Sequence, residues 1–248
     1  MSQASESSAA LLSVTGLNAW YGAAHILHDM GLRVGRGEVV ALMGRNGAGK
    51  STTLKSIMGI LLKRTGSIHF MGKDVGRLQP YEIARLGLGY VPEDRRIFSE
   101  LSVKENLEVG RLPVRCWPDG QPALNWTVEA LFDLFPNLAG VGKRFAGTLS
   151  GGEQQMLAVA RTLMGNPYVV LLDEPSEGVA PVIVDQMVAM ILALKEQGAS
   201  VLLSEQNIHF AQLVADRAYV LEKGVMRYEG RMQELVSDVQ VRESYLSF

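Results

Sequence analysis

The chain has 248 residues, 47% of them hydrophobic and 20% charged, which is enough apolar content for a folded α/β domain and excludes a disordered chain. Twenty-four basic against 26 acidic residues leave a formal charge of -2, without the basic field of a nucleic-acid binder. The single cysteine, Cys116, excludes an intrachain disulfide framework and a cysteine-based zinc cluster and reads as a structural or incidental residue.

In chain order, the first ten residues are rich in Ser and Ala, without the basic and apolar regions of a secretory signal, and read as a loose tail. The first forty-three residues read as strands: Leu12, Val14 and Leu17, then Ile26, Leu32 and Val34, then Glu38 to Met43, the last apolar enough to be buried on both faces. A helix from Lys50 to Ile60 follows. Between Pro92 and Thr148 helical spacing over Leu101–Leu112 and Thr127–Phe135, broken by Pro113, Pro118, Gly120 and Pro122, marks an inserted helical subdomain. Helices are then expected over Ser150–Met164, Pro181–Glu196, Ile208–Ala215 and Met232–Val236, and strands over Tyr168–Leu172, Ser200–Ser204, Ala218–Glu222 and Val225–Tyr228. No apolar run reaches the roughly eighteen residues of a membrane span, and Val182–Leu194, interrupted by Asp185 and Gln186, reads as a buried-face helix. Asn125-Trp126-Thr127 fits the glycosylation pattern by accident.

Three segments carry chemistry. In Gly44-Arg45-Asn46-Gly47-Ala48-Gly49-Lys50-Ser51, with Thr52 next, glycines permit close backbone approach, so N–H groups and a helix start can surround phosphate oxygens. Lys50 is suited to the β and γ phosphates and the Ser51 hydroxyl to magnesium. Tyr168-Val169-Val170-Leu171-Leu172-Asp173-Glu174 is a buried strand ending in two acids. Alternation along a strand sends them to opposite faces and gives them different work, Asp173 on the metal and Glu174 polarising the attacking water. In Leu149-Ser150-Gly151-Gly152-Glu153-Gln154-Gln155 the serine is a natural N-cap and the glycines leave backbone N–H groups bare, a second anion-binding helix start. One nucleotide has one γ phosphate, already covered on one side by its own loop, so Ser150, Gly151, Gly152 and Glu153 are expected to face the nucleotide of another copy.

Together these motifs resemble the ATP-binding cassette family from about Leu11 to the C-terminus. The resemblance implies a P-loop NTPase core over 11–92 and 149–248, an N-terminal antiparallel β subdomain, and an α-helical subdomain over 93–148. It further implies ATP and Mg2+ as cofactors, Tyr21 stacked on adenine, Glu93 where most cassettes carry a metal-sensing glutamine, and Gln206 where most carry a histidine on the γ phosphate. Gln206 can donate a hydrogen bond but carries no charge, and His209, like His25, His28 and His69, reads as a surface or packing residue. Ala180 stands where many cassettes have an aspartate, which leaves communication between paired sites to backbone and Ser176.

PEDRRIFSELSVKENL, LSGGEQQML, DEPSEGVAP and SEQN are similar to the second of the two ATPase subunits of importers for branched-chain and other hydrophobic amino acids, and to their relatives for urea and short amides. Members usually have leucine at the place of Glu177 and valine at that of Ser204. The resemblance implies a second cassette, identical or related, integral-membrane permease subunits and, indirectly, a periplasmic-type solute-binding protein, with the chain peripheral on the cytoplasmic side of the membrane. The other classes weighed are a soluble cassette ATPase of DNA repair or translation, which needs a long coiled coil or tandem cassettes, and a nucleotide-binding module without turnover, which would lack Glu174.

Overall fold

The computed structural model describes residues 10–246, so the expected tail lies outside the described residues except for Ala10. In chain order the elements are β1 (Leu12–Tyr21), β2 (Ala24–Val34), β3 (Val39–Met43), α1 (Lys50–Ile57), β4 (Arg64–Phe70), β5 (Lys73–Asp74), α2 (Pro80–Leu86) and β6 (Leu88–Val91). There follow α3 (Val103–Val109), α4 (Val128–Leu134), α5 (Pro136–Ala139), α6 (Gly151–Leu163), β7 (Val169–Asp173), α7 (Pro181–Glu196), β8 (Ser200–Glu205), α8 (Ile208–Val214), β9 (Arg217–Glu222), β10 (Val225–Arg231), α9 (Met232–Ser237) and α10 (Val239–Tyr245).

Two sheets organise the molecule. An antiparallel sheet has the order β2-β1-β4-β5, and a mostly parallel sheet has the order β10-β9-β3-β8-β7-β6, with β10 as its antiparallel edge. Strand β3 is central and is buried at every residue. Val39, Ala41 and Met43 face an apolar cluster with the helices, while Val40 and Leu42 face a second cluster shared with the antiparallel sheet and α1. Strands β7 and β8 divide in the same way, as Val170 and Leu172 against Val169 and Leu171, and Val201 and Leu203 against Leu202. Period-2 side chains thus fill two cores at once, so a continuous apolar run is the form these strands take.

The helices between β6 and α6 share the first cluster: Val103, Leu107, Trp126, Leu131, Phe135 and Leu138 pack with Met156, Leu157 and Ala160 of α6. The expected helix over Leu101–Leu112 is shorter, since a capping box between Ser102 and Glu105 opens it and it ends before Gly110. From Arg111 to Trp126 the chain is an irregular strap held by polar bonds. The Leu112 amide donates to the Met164 carbonyl at 3.1 Å, and the Arg115 guanidinium to the carbonyls of Asn166 at 2.9 Å and Arg85 at 2.7 Å. Thr127 of the glycosylation-like triplet caps α4. Beyond the sequence-based expectations lie β4, β5, α2 and β6 between residues 60 and 92, and α10.

The two sheets are tied by Arg217, which pairs with Glu38 at 2.8 Å and Glu229 at 3.0 Å and donates to the Arg33 carbonyl at 2.7 Å. The buried Tyr219 hydroxyl accepts from the Arg33 amide at 3.0 Å and from Arg217 at 2.6 Å. A Tyr219→Phe chain leaves that amide without its partner and is expected to lose about 1–3 kcal/mol of stability. Urea unfolding checks this as a lower midpoint at unchanged slope.

Candidate functional site

The phosphate-type loop leaves the end of β3, the central strand, at the carboxyl edge where open α/β sheets hold ligands. Gly49, the N-cap of α1, has φ +111°, and a Cβ there would come within 2.8 Å of Leu27, so the bend admits no side chain. Lys50 opens the helix and is 3% exposed. Its Nζ donates to the carbonyls of Gly44 at 2.8 Å and Arg45 at 3.2 Å and pairs with Glu174 Oε1 at 3.1 Å. A cleft of about 250 Å³ is lined by Tyr21, Ile26, Gly47, Gly49, Lys50, Ser51, Thr52 and Glu174. Tyr21 ends β1 and is 47% exposed, an aromatic face left at the mouth of the cleft.

The acids are arranged otherwise than strand alternation predicts. Asp173 is the last residue of β7, but Glu174 just beyond it has φ +48°, and that left-handed turn breaks the period of two. Both carboxylates turn to the loop: the Ser51 hydroxyl donates to Asp173 Oδ1 at 2.9 Å, while Glu174 meets Lys50. Ser204 supports this turn. Its register partner in β7 is Asp173, its hydroxyl donates to Asp173 Oδ1 at 2.8 Å, and its carbonyl and hydroxyl accept from the Glu174 amide at 3.1 and 3.0 Å. The Tyr90 hydroxyl donates to Asp173 Oδ2 at 3.0 Å, and burial followed by the Asp173 charge holds that phenol well above its ordinary range. Oxygens of Asp173 and Ser51, adjoining the cleft, are the hard donor set that suits Mg2+ together with phosphate oxygens. Among the described residues no cluster of three His, Cys, Asp or Glu offers a metal site by itself.

The remaining residues that the sequence nominated, Gln206, Glu93 and Ser150, do not line the cleft. Gln206 is half-buried directly after β8. Glu205, just before it, is 1% exposed and accepts from the Ser176 and Asn207 amides; burial pushes its carboxyl up while those bonds pull it down. Glu93 is exposed on the loop after β6 and is not a wall of the cleft, but its charge acts on Glu177. Ser150 is exposed at the start of α6, also away from the cleft walls, in a closed capping box. Its hydroxyl accepts from the Glu153 amide at 3.3 Å and its own amide donates to the Glu153 carboxylate at 2.7 Å; hydrogen bonding by the Ser150 side chain first, then by its backbone, lowers the carboxyl pKa of Glu153. The amides left at this helix start are those of Gly151 and Gly152. A Cβ at Gly152 would meet Ile183 of α7 within 2.5 Å, so its bareness also serves packing.

Four polar residues of the site escaped the sequence reading of roles: Tyr90, Ser204, Glu205 and Glu177. For Tyr90, Ser204 and Glu205 the signal is a hydroxyl or carboxyl inside a strand run, since a buried polar group requires a partner; Glu177, exposed on the turn after β7, carries no such signal.

A phosphate loop at the end of a central parallel strand, a buried lysine within it and an acid pair across from it define a P-loop nucleoside triphosphatase. Residues 27–177 match the ABC transporter family model. The chain is 41% identical over 236 residues to the high-affinity branched-chain amino acid transport ATP-binding protein BraG of Pseudomonas aeruginosa, covering 95% of this chain and 99% of that protein. It is 36% identical over 227 residues to the probable branched-chain amino acid transport ATP-binding protein LivF of Archaeoglobus fulgidus, covering 91% and 94%. It superposes on the ADP conformation of MJ1267, an ATP-binding cassette of an ABC transporter, with TM-score 0.77 and 28% identity, covering 95% and 98%. The chain therefore belongs to the ABC transporter family, as one of its ATP-hydrolysing cassettes.

The site makes one pH-dependent prediction. Glu177 is pushed up to about 7, first by its hydrogen bond to Glu174, then by burial and by the charges of Glu174 and Glu93. Its folded pKa exceeds the unfolded value, so the stability it contributes is full below about pH 4.5 and is lost as pH rises through about 7. Glu177→Gln is expected to melt higher than wild type at pH 8, with the gap closing toward pH 4.5; thermal unfolding across that window, with a constant gap as the contrary result, decides it.

Proposed function

We propose that this chain is the ATPase subunit of an importer for branched-chain or other hydrophobic amino acids, working as one of a pair of cassettes against permease subunits on the cytoplasmic side of the membrane. The observation that carries the reading is the separation of two half-sites. The cleft is lined by Lys50, Ser51, Thr52 and Glu174 and takes in none of Ser150, Gly151 and Gly152, which stand at the capped start of α6 with Ser150 exposed and the two glycines half-buried.

In this mechanism adenine stacks on Tyr21, and the amides of Asn46, Gly47 and Gly49, with Ser51 and Thr52, receive the phosphates, while the Gly44 amide stays on the Glu205 carbonyl. Lys50 shifts from Glu174 Oε1 to the β and γ phosphates, which releases the Glu174 carboxylate. A water oxygen then attacks the γ phosphorus, the bond from that phosphorus to the β-bridging oxygen breaks, and the water proton passes to Glu174. Asp173 and Ser51 would hold Mg2+, which supplies neutralising charge for the β and γ phosphate oxygens. Gln206 donates a hydrogen bond to a γ oxygen, and Ser150, Gly151 and Gly152 of the second cassette close the other side. Tyr90 and Ser204 hold Asp173 in position throughout.

A groove of about 440 Å³ walled by Tyr81, Phe98, Val109, Leu112 and Arg161 supports the permease contact, since Tyr81, Phe98 and Val109 are large, apolar and exposed there. The names of the BraG and LivF relatives support the amino-acid solute.

Glu174→Gln is expected to abolish turnover while ATP still binds and holds a dimer, read by phosphate release and by sizing in ATP; continued hydrolysis would remove Glu174 as the base. In mixtures of Ser150→Arg with Lys50→Ala chains, activity should follow the fraction of pairs holding one intact composite site, and independence of the two chains would defeat the shared site. The solute is tested in vesicles carrying the permease and binding-protein subunits. ATP-driven leucine, isoleucine or valine uptake is expected, urea uptake would move the chain to the short-amide branch, and recovery of ribosomes or nucleic acid in place of membrane chains would overturn the transport reading.

A further inference from the structure

Glu205 is a fully buried carboxylate for which the hydrolytic mechanism has no use. It is the last residue of β8, in register with Met43, the last residue of the strand that launches the phosphate loop. Three segments meet at it. Its carbonyl accepts from the Gly44 amide at 3.2 Å, its Oε1 from the Ser176 amide at 3.0 Å, and its Oε2 from the Asn207 amide at 3.3 Å. Asn207 in turn caps α8, its side chain accepting from the His209 and Phe210 amides at 3.0 and 3.2 Å.

Gln206 is therefore enclosed between two anchored residues, one fixed to the phosphate loop and to Ser176, the other to a helix start. A carboxylate out of contact with water is satisfied only while it keeps its donors, so withdrawing Ser176 or Asn207 alone would strand part of its charge. Both segments lower their energy by moving together. Ser176 lies on the loop between Glu174 and α7, and at the end of that loop Ala180 has no side chain able to carry a polar contact.

We propose that Glu205 is a positioning residue that locks the Ser176 loop to Gln206, so that the γ-phosphate contact and the loop facing the second cassette change as one body. The inference rests on the paired-cassette reading above for what the loop meets, while the lock itself is a property of a single chain.

Amide hydrogen exchange of the full chain, with and without a non-hydrolysable ATP analogue and Mg2+, tests the lock. In wild type the analogue is expected to protect residues 174–180 and 205–210 together. In Glu205→Ala, protection of 205–210 persists and that of 174–180 falls about fivefold or more, with kcat down about tenfold, KM for ATP within about threefold, and the Hill coefficient for ATP moved toward one. Glu205→Gln, which keeps the volume and one acceptor, shifts each readout in the same direction by less, and it serves alone if the alanine chain does not fold. Unchanged kcat and unchanged exchange in the variant that folds overturn the proposal, as does a wild-type chain in which the analogue protects one segment without the other. If the paired-cassette reading is what fails, wild-type turnover has a Hill coefficient of one while the exchange linkage inside each chain remains.

Discussion

A lysine ammonium buried at the start of α1 must be surrounded by acceptors, and the centre of this protein is built around that requirement. Two acceptors are carbonyls of the loop itself, Gly44 and Arg45, which give the loop its curvature. The third is Glu174, which reaches Lys50 because its backbone takes a left-handed turn that Ser204 stabilises from the neighbouring strand. In the mechanism proposed above, one ligand exchanges these partners: the phosphates that draw Lys50 from Glu174 also bring the bond to be broken.

The order of elements supports that centre by burying β3, β7 and β8 on both faces. Apolar clusters above and below hold the strand ends, and the loop, the acid pair and Gln206 all leave from those ends. This is why the parallel core was legible in the sequence: five or six consecutive apolar residues followed by glycine or acid fit little except a strand covered on both sides that stops at a ligand edge. Lys50, Ser51 and Asp173 were legible for the same reason, because their spacing from a buried strand sets their place. The direction of Glu174 was not. Alternation is a rule for φ in the extended region, and the reversal at φ +48° depends on two hydrogen bonds from a strand thirty residues later, which no local pattern encodes. The segment from residue 60 to 92 was silent because β4, β5 and β6 are short or partly solvated, and the strap before α4 holds its course through carbonyls bound by Arg115 rather than through any repeat.

Two residues that depart from the pattern of amino-acid importers, Glu177 and Ser204, both touch the acid pair. Ser204 adds a hydroxyl that holds Asp173 and the Glu174 amide, where valine could only fill space. Glu177 adds a carboxyl beside Glu174, where leucine would carry no charge. Ser204 tightens the acids and Glu177 crowds them.

The capping box at the start of α6 bears on how two such chains meet. Ser150 and Glu153 satisfy one another within a single chain, so this helix start is already shaped before any second cassette or nucleotide arrives. A surface that needs no ordering sacrifices little conformational freedom on contact, and the free amides of Gly151 and Gly152 present positive partial charge to whatever approaches. In the proposed pair, association becomes a sensor of phosphate: an empty facing loop offers nothing for those amides to bind, and a filled one supplies the anion that the helix start lacks.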